Sequence, residues 1–128
     1  MDRKIVATAA VLGALGIILG AFGAHALKKV LSPEMLISFE TGVKYQLYHA
    51  LFLLFAGITT LVSQKAKKAI FMLTIVGCLF FCGSIYLLSC GRLISVDFRS
   101  IGFITPIGGL LLISAWAVLF LHIIRAKR

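Results

Sequence analysis

The sequence predicts an all-α membrane protein, built as an antiparallel bundle of four transmembrane helices. The composition is the first observation behind this: 61% of the 128 residues are hydrophobic, 13% are charged, and the mean hydropathy is +1.09. A soluble domain is much less apolar than this. The second observation is four long apolar stretches, each able to cross a hydrocarbon core of ~30 Å at ~1.5 Å per residue. Spans are expected at about 5–27, 44–63, 69–90 and 104–124, within one integral membrane domain covering 1–128.

The first span carries no charge, and its small residues fall on one stripe at ~100° per residue. Gly16 and Gly20 form a GxxxG step, which lets a second backbone approach closely in lipid. Helix-packing roles are expected for Gly13, Gly16, Gly20, Gly23, Gly108 and Gly109. A cleaved signal peptide, with Ala24-His25-Ala26 as the cleavage site, is the alternative. It is disfavoured because the apolar run is long and the stripe would have no use in a discarded peptide.

Capping signals place the helix starts. Ser32 suits an N-cap and Pro33 suits the first helical position, and Thr105-Pro106 repeats this pattern before the fourth span. The segment 35–43 has one apolar face, which predicts either a short interfacial helical stretch before the second span or the wet end of a long second helix. Gly42 is the expected bend between the two regimes, and 64–68 reads as a basic turn.

Lys and Arg residues are distributed unequally between the two sides that four crossings would create. Eight lie on the side that holds both termini and five on the other. The positive-inside rule therefore predicts cytoplasmic termini, in the cytoplasmic (inner) membrane of a bacterium. The net charge of +9 is attributed to this topological signal and to contact with anionic lipids, so nucleic acid is not expected as a partner.

Four blocks resemble the signature of one protein family. They are GAFGAHAL at 20–27, FETGVKYQLYHAL at 39–51, FCGSIYLL at 81–88 and ITPIGG at 104–109. Together they are similar to domain of unknown function 423, a family of small membrane proteins, and they touch all four spans. Cys82 departs from the pattern, where a serine-like residue is expected. The resemblance implies a four-helix membrane protein and implies no activity.

The blocks predict a polar cluster at the outer membrane level. His25 ends the first span, Tyr45 and His49 are placed near the start of the second, and Tyr86 approaches the outer end of the third. One hypothesis is a ligand site lined by these four residues, for a lipid-like or quinone-like head group or a metal. The other is packing, with the rings hydrogen-bonding across helices or to lipid. Metal is disfavoured because two histidines without a nearby carboxylate or thiolate make a poor ligand set.

The remaining side chains do not predict chemistry. Cys78 and Cys82 share a helix face, which is typical of packing as well as of soft-metal binding. No nucleophile–base or paired-carboxylate arrangement is evident, so no enzyme and no cofactor are expected. Two function classes remain open. One is a structural or accessory component that docks through its glycine-rich faces, as a homo-oligomer or in a larger complex; the other is a binding or transport protein built on the polar cluster.

Overall fold

Four long α-helices make up most of the part of the chain that the structure describes. The computed structural model describes residues 2–126, in which α1 is Asp2–His25, α2 is Pro33–Ile58, α3 is Gln64–Cys90 and α4 is Ile104–Arg125. Short 3-10 turns lie at Leu27–Lys29, Gly91–Ile94 and Arg99–Ile101. No strand occurs within these residues, so the all-α prediction is confirmed.

Serine caps begin the two middle helices. The Ser32 hydroxyl accepts a hydrogen bond from the Met35 amide at 3.2 Å, with Pro33 at the first helical position, as predicted. Ser63 accepts from the Ala66 amide at 3.2 Å in the same way. That cap starts α3 at Gln64, so the basic segment 64–68 is the first turn of a helix, and the prediction of a turn there is wrong.

The second helix is continuous, so the expected interfacial stretch is its first part and not a separate element. It runs without interruption through Gly42 and ends at Ile58, where Thr59 becomes extended (ψ 145°), before the predicted end at 63. Gly42 does not bend the helix; a Cβ there would meet Tyr86 Cε1 at 2.7 Å, so the glycine makes room for that ring. The predicted Thr105 cap is also wrong, because α4 begins at Ile104 after Phe103.

Each helix packs against the next one along the chain, in antiparallel directions. On α1 and α2, Gly13 lies beside Ala50 while Gly23 lies beside Phe39, so the numbering rises on one helix as it falls on the other. We call the end of the fold that holds Asp2, the connection 59–63 and Ala126 the termini end. The opposite end, with the connections 26–32 and 91–103, is the far end.

Apolar side chains cover the outside of the fold. Among residues 2–126, three helical segments are long and apolar enough to cross a membrane: Asp2–Lys29, Gln64–Cys90 and Arg99–Arg125. The 26 residues of α2 match them in length but include more polar side chains, two of which, Gln46 and His49, are buried between the other helices. A buried apolar cluster, which we call the termini-end core, is formed by Ile5, Ala9, Phe52, Leu53, Ala56, Val62, Ala66, Ile70, Ala115 and Leu119.

Candidate functional site

The four signature blocks contact one another across the helices. A Cβ on Gly23 of α1 would lie 3.0 Å from the ring of Phe39 on α2. The Phe39 ring packs on that of Tyr86 in α3, with centroids 5.2 Å apart. The Ser84 hydroxyl of α3 then hydrogen-bonds the Thr105 hydroxyl of α4. The blocks therefore form one connected network, in which each helix is joined to its neighbour.

The glycine stripe of α1 lies against α2. A Cβ on Gly16 would approach Leu47 Cδ2 to 2.7 Å, and one on Gly20 would lie 3.4 Å from Val43 Cγ1. Gly13 has more room, with the nearest side-chain atom 3.8 Å from its hypothetical Cβ. These glycines of the stripe therefore face side chains of α2.

A buried glutamine ties three helices together. Gln46 of α2 is 5% exposed, and its Nε2 donates to the backbone oxygen of Leu12 on α1 at 2.9 Å. Its Oε1 accepts from the Tyr86 hydroxyl of α3 at 2.7 Å. Both ends of the amide are satisfied by protein, which matters because an unpaired polar group in hydrocarbon is costly. The pair lies at the base of an apolar cleft of about 430 Å³ between α1 and α3.

His49 is held by two partners that fix its protonation pattern. Its Nδ1 lies 2.7 Å from the backbone oxygen of Tyr45, and its Nε2 lies 3.1 Å from Nε1 of Trp116 on α4. A carbonyl only accepts and an indole N–H only donates, so Nδ1 carries the proton and Nε2 accepts. The Trp116 ring also packs on Phe52, at a centroid distance of 4.1 Å. His49 is therefore a neutral link between α2 and α4.

The closest helix contact is between α3 and α4. A Cβ on Gly108 would collide with the backbone nitrogen of Phe81, and one on Gly77 would lie 2.8 Å from Leu112 Cδ2. Gly109, the next residue on α4, meets only the ring of Phe81, at 3.5 Å. Gly108 and Gly77 therefore allow an approach that any larger residue would prevent.

The residues predicted to line a ligand site do not come together. His49 precedes Ala50, which lies beside Gly13, so His49 is near the middle of the fold. His25 is exposed at the end of α1, about 18 Å further along at ~1.5 Å per residue. Tyr86 contacts Gln46, whereas the partly exposed ring of Tyr45 packs on Phe81, with centroids 5.1 Å apart. Tyr45 and His49 meet only through the Tyr45 backbone oxygen, so the shared outer level inferred from the sequence is not observed.

The outward face of α2 is unexpectedly polar. Tyr45 is 39% exposed and Tyr48 is 54% exposed, with ring centroids 5.7 Å apart, and Lys44 is exposed beside them. We call these three residues the α2 polar face. Tyr48 follows Leu47, the residue that contacts Gly16, so this face extends well inside the predicted span of α1.

The cysteines form no disulfide in the described part of the chain. Cys78 and Cys82 are buried and border the apolar cleft between α1 and α3, and Cys90 is partly buried at the end of α3. Among the described residues, no group of three or more His, Cys, Asp or Glu side chains is placed to hold a metal ion.

A lysine is buried at the termini end. Lys67 is 2% exposed, and its Nζ donates to Asp2 Oδ1 and to the backbone oxygen of Gly57, both at 3.2 Å. The hydrogen bond from Gln64, at 3.0 Å, and the one from Lys67 hold the pKa of the Asp2 carboxyl below its ordinary value. The cation also suits the negative end of α2. We call this group the Lys67 clamp.

Gln46, Trp116 and Lys67 link helices, but the sequence does not predict these contacts. The type of Gln46 and Trp116 does indicate a role, because an amide or indole inside an apolar span needs a hydrogen-bond partner. Lys67 gives a weaker indication, since it lies on the face of α3 that also carries Ile70. The sequence could not name their partners, because each partner lies on another helix.

The fold and these contacts define a small helical integral membrane protein. The chain belongs to the family described as protein of unknown function (DUF423), whose family model matches residues 19–109. The resemblance drawn from the four blocks is thereby confirmed.

Curated relatives carry the family name UPF0382. A UPF0382 membrane protein of Staphylococcus saprophyticus is 40% identical, over 85% of this chain and 90% of its own. One from Staphylococcus haemolyticus is 38% identical over 80% of each chain. The UPF0382 inner membrane protein YgdD of Escherichia coli K12 is 31% identical, over 99% of this chain and 94% of its own. No solved structure matches this chain.

Proposed function

We propose that all four helices cross the bilayer of a bacterial cytoplasmic membrane as a bundle, with both termini in the cytoplasm. α2 has 26 residues, about 39 Å at ~1.5 Å per residue, which is enough to span. Its buried polar residues Gln46 and His49 are hydrogen-bonded inside the chain, which supports a place in hydrocarbon. The orientation rests on the excess of Lys and Arg at the termini end.

Cysteine labelling of intact cells tests this topology. In a background without the native cysteines, Lys29→Cys at the far end should react with a membrane-impermeant maleimide. Leu61→Cys, in the connection 59–63, should react only after the membrane is permeabilised. If only Leu61→Cys is labelled from outside, the orientation is the reverse of the one proposed. If both positions are labelled from outside, the chain makes fewer crossings than four.

We also propose that the glycine stripe is the packing seam between α1 and α2. The fit of Gly16 against Leu47 and of Gly20 against Val43 supports this. The double variant Gly16→Leu/Gly20→Leu should separate the two helices, since lipid supplies no hydrophobic drive to hold them together. Unchanged thermal stability of that variant in detergent would contradict the seam.

The protein then acts as an accessory component of a larger membrane assembly, docking through the α2 polar face. The exposure of Lys44, Tyr45 and Tyr48 within the proposed span carries this conclusion. Polar side chains that face outward at membrane depth are costly unless another polar group meets them. The glycine stripe of α1 is covered by α2, so a partner there would have to displace part of the fold. The occupant of the face is a transmembrane helix of a partner protein that offers an acceptor, such as a carboxylate, to Lys44.

Site-specific photocross-linking in the membrane tests the docking face. A photoreactive residue replaces Leu51, which is 67% exposed and one turn from Tyr48, and in the control it replaces Ile113, which is 66% exposed on α4. A protein adduct of one mass should form only from position 51, and Lys44→Leu/Tyr48→Phe should reduce it several-fold. Lipid adducts alone would contradict docking, and an adduct of two copies of this chain would replace the accessory role by self-association.

The second function class, a ligand site lined by His25, Tyr45, His49 and Tyr86, has less support. The two histidines lie at different depths, and both ring nitrogens of His49 have partners. We propose the accessory role without catalysis, a resident cofactor or a metal.

A further inference from the structure

A second cleft opens at the far end of the fold, and its lining includes none of His25, Tyr45, His49 and Tyr86. Its volume is about 770 Å³, within the ~300–1,000 Å³ typical of small-molecule sites. It lies between the start of α2, the end of α3, the connection 91–103 and the start of α4. Its apolar walls include Leu88 and Phe98, and its polar groups include Ser89, Asp97, Arg99 and Thr105. We call it the far-end cleft.

One hydroxyl in this lining is buried without a partner. Ser89 is 1% exposed, and its Oγ makes no hydrogen bond to the described residues. Ser84, five residues earlier on α3, is bonded to both Thr105 and the Phe81 backbone oxygen. A buried polar atom without a partner is unusual in a native protein and calls for an explanation. A bound group that accepts a hydrogen bond would supply one.

The rim of the cleft carries a charged pair in contact with water. Arg99 Nη2 lies 2.9 Å from Asp97 Oδ2, and the two side chains are 87% and 60% exposed. Three hydrogen bonds of 2.9 to 3.1 Å join the guanidinium to the Asp97 carboxylate. Water screens a pair this exposed, so an incoming anion can compete for the guanidinium. Guanidinium groups suit phosphate because their donors match its oxygens two at a time.

The connection that forms one wall is shaped by two residues. Gly91 permits the close return of the chain, because a Cβ there would lie 2.7 Å from both the Val96 oxygen and Phe98 Cδ2. Ser95 takes a left-handed conformation, with φ 57°, which turns the chain back over the cleft. The wall thus depends on backbone geometry that an ordinary substitution would disturb.

We propose that the far-end cleft binds a phosphate-bearing amphiphile, with its phosphate between Ser89 and Arg99 and its hydrocarbon part along Leu88 and Phe98. The cleft combines apolar walls with a buried donor and a cation at the rim, and it lies at the end of the helices, where lipid head groups are found. A lipid head group and a free phosphate ester share this chemistry. The source is decided by experiment. The site is independent of the α2 polar face, so either proposal can fail alone.

Binding is measured on the purified full-length protein by native mass spectrometry with defined additions. Three matched probes are compared: a phosphatidylethanolamine, the diacylglycerol with the same acyl chains, and glycerol phosphate. We expect retention of the phospholipid in a one-to-one complex, and retention of the other two at least about ten-fold weaker, because each lacks one half of the recognised chemistry. Equal retention of diacylglycerol would overturn the role of phosphate. Equal retention of glycerol phosphate would overturn the amphiphile, and no retention of any probe would overturn the site.

Two variants assign the residues. Ser89→Ala removes the unpartnered hydroxyl and should weaken phospholipid retention about ten-fold, while the thermal stability without lipid stays the same or rises. Arg99→Gln should have a similar effect on retention and, because Arg99 is exposed, should not unfold the protein. Ser114→Ala and Arg125→Gln on α4 are the matched controls and should retain lipid normally. Unchanged retention in both Ser89→Ala and Arg99→Gln would overturn the proposal.

Discussion

The two ends of the fold solve the problem of buried polar groups in different ways. At the termini end, the apolar core is closed by the Lys67 clamp, whose single cation is bonded to a carboxylate and a helix carbonyl. At the far end, the Ser84 and Thr105 hydroxyls join α3 to α4, and a cleft of about 770 Å³ remains with an unpartnered serine hydroxyl in its lining. One end is filled, whereas the other is open.

The contrast assigns stability mainly to the termini end and binding to the far end. A packed apolar cluster gains from burying every methyl group, so a filled end contributes to folding and leaves no room for a ligand. A cleft lacks the stabilisation that such packing provides, and a buried hydroxyl without a hydrogen-bond partner lowers the stability further. The far end therefore has the features of a binding region on a rigid support, whereas the termini end has the features of the support itself.

The α3–α4 contact should be the least tolerant point of the fold. Gly108→Ala places a Cβ against the Phe81 backbone, which cannot move aside as a side chain can, so we expect a loss of about 3 kcal/mol of unfolding free energy. Thermal unfolding in detergent measures it. Gly109→Ala is the control and should cost less than about 1 kcal/mol, because its Cβ would lie 3.5 Å from Phe81 Cδ1, an ordinary van der Waals contact. Equal effects would mean that the helices are less closely packed than their backbones indicate.

The Lys67 clamp should contribute more than any other lysine. Lys67→Met removes charge-assisted hydrogen bonds to Asp2 and Gly57 while keeping the volume, and we expect a loss of about 2 kcal/mol. Lys65→Met is the matched control, since Lys65 is exposed on the same turn, and it should change stability by less than about 0.5 kcal/mol. A neutral Lys67→Met would show that the apolar core alone closes this end.

The hydrogen bond between Tyr86 and Gln46 should contribute less to the free energy of unfolding than the Lys67 clamp does. Tyr86→Phe removes one hydrogen bond of 2.7 Å, and such bonds between membrane helices contribute ~0.6 kcal/mol on average, with a maximum of about 1.7 kcal/mol. Because Gln46 Oε1 is then left unpaired, a value near 1 kcal/mol is expected in the unfolding assay. Tyr48→Phe, on the exposed face, should leave the stability in detergent unchanged. A larger loss for Tyr48→Phe would imply that its hydroxyl has a structural partner.

Acid should loosen the termini end only slightly. Asp2 lies outside the apolar run 5–27, and its pKa is lowered from 3.8, first by Gln64 and then by Lys67. A lowered folded-state pKa gives stability that is present above 3.8 and is lost as the pH falls through the lower value. The difference in thermal stability between wild type and Asp2→Asn should therefore be constant at neutral pH and shrink below about pH 4. If the difference in thermal stability persists at pH 2, the contribution of Asp2 does not depend on the ionisation of its carboxyl.

The membrane class, the helical fold and the family can be predicted from the sequence alone. Apolar length and composition are properties of the chain, and they set its solvent before any contact forms. The Ser32-Pro33 start was also readable, because a cap involves residues only three apart. The stripe of Gly16 and Gly20 was visible as a pattern, since helical periodicity is local. The sequence could not say that this stripe meets α2.

Only the tertiary structure decided what the polar residues do. The predicted second span starts near Tyr45, which puts His49 close to the start of that span and at the level of His25. The helix begins at Pro33, and this moves His49 to mid-depth and against Trp116. Thr105 likewise read as a cap but bonds Ser84 on α3. The far-end cleft had no signature at all, because its walls come from three helices and a connection distant in sequence. Periodicity fixes which face a side chain is on, but the partner on that face is chosen by how the helices are set against one another.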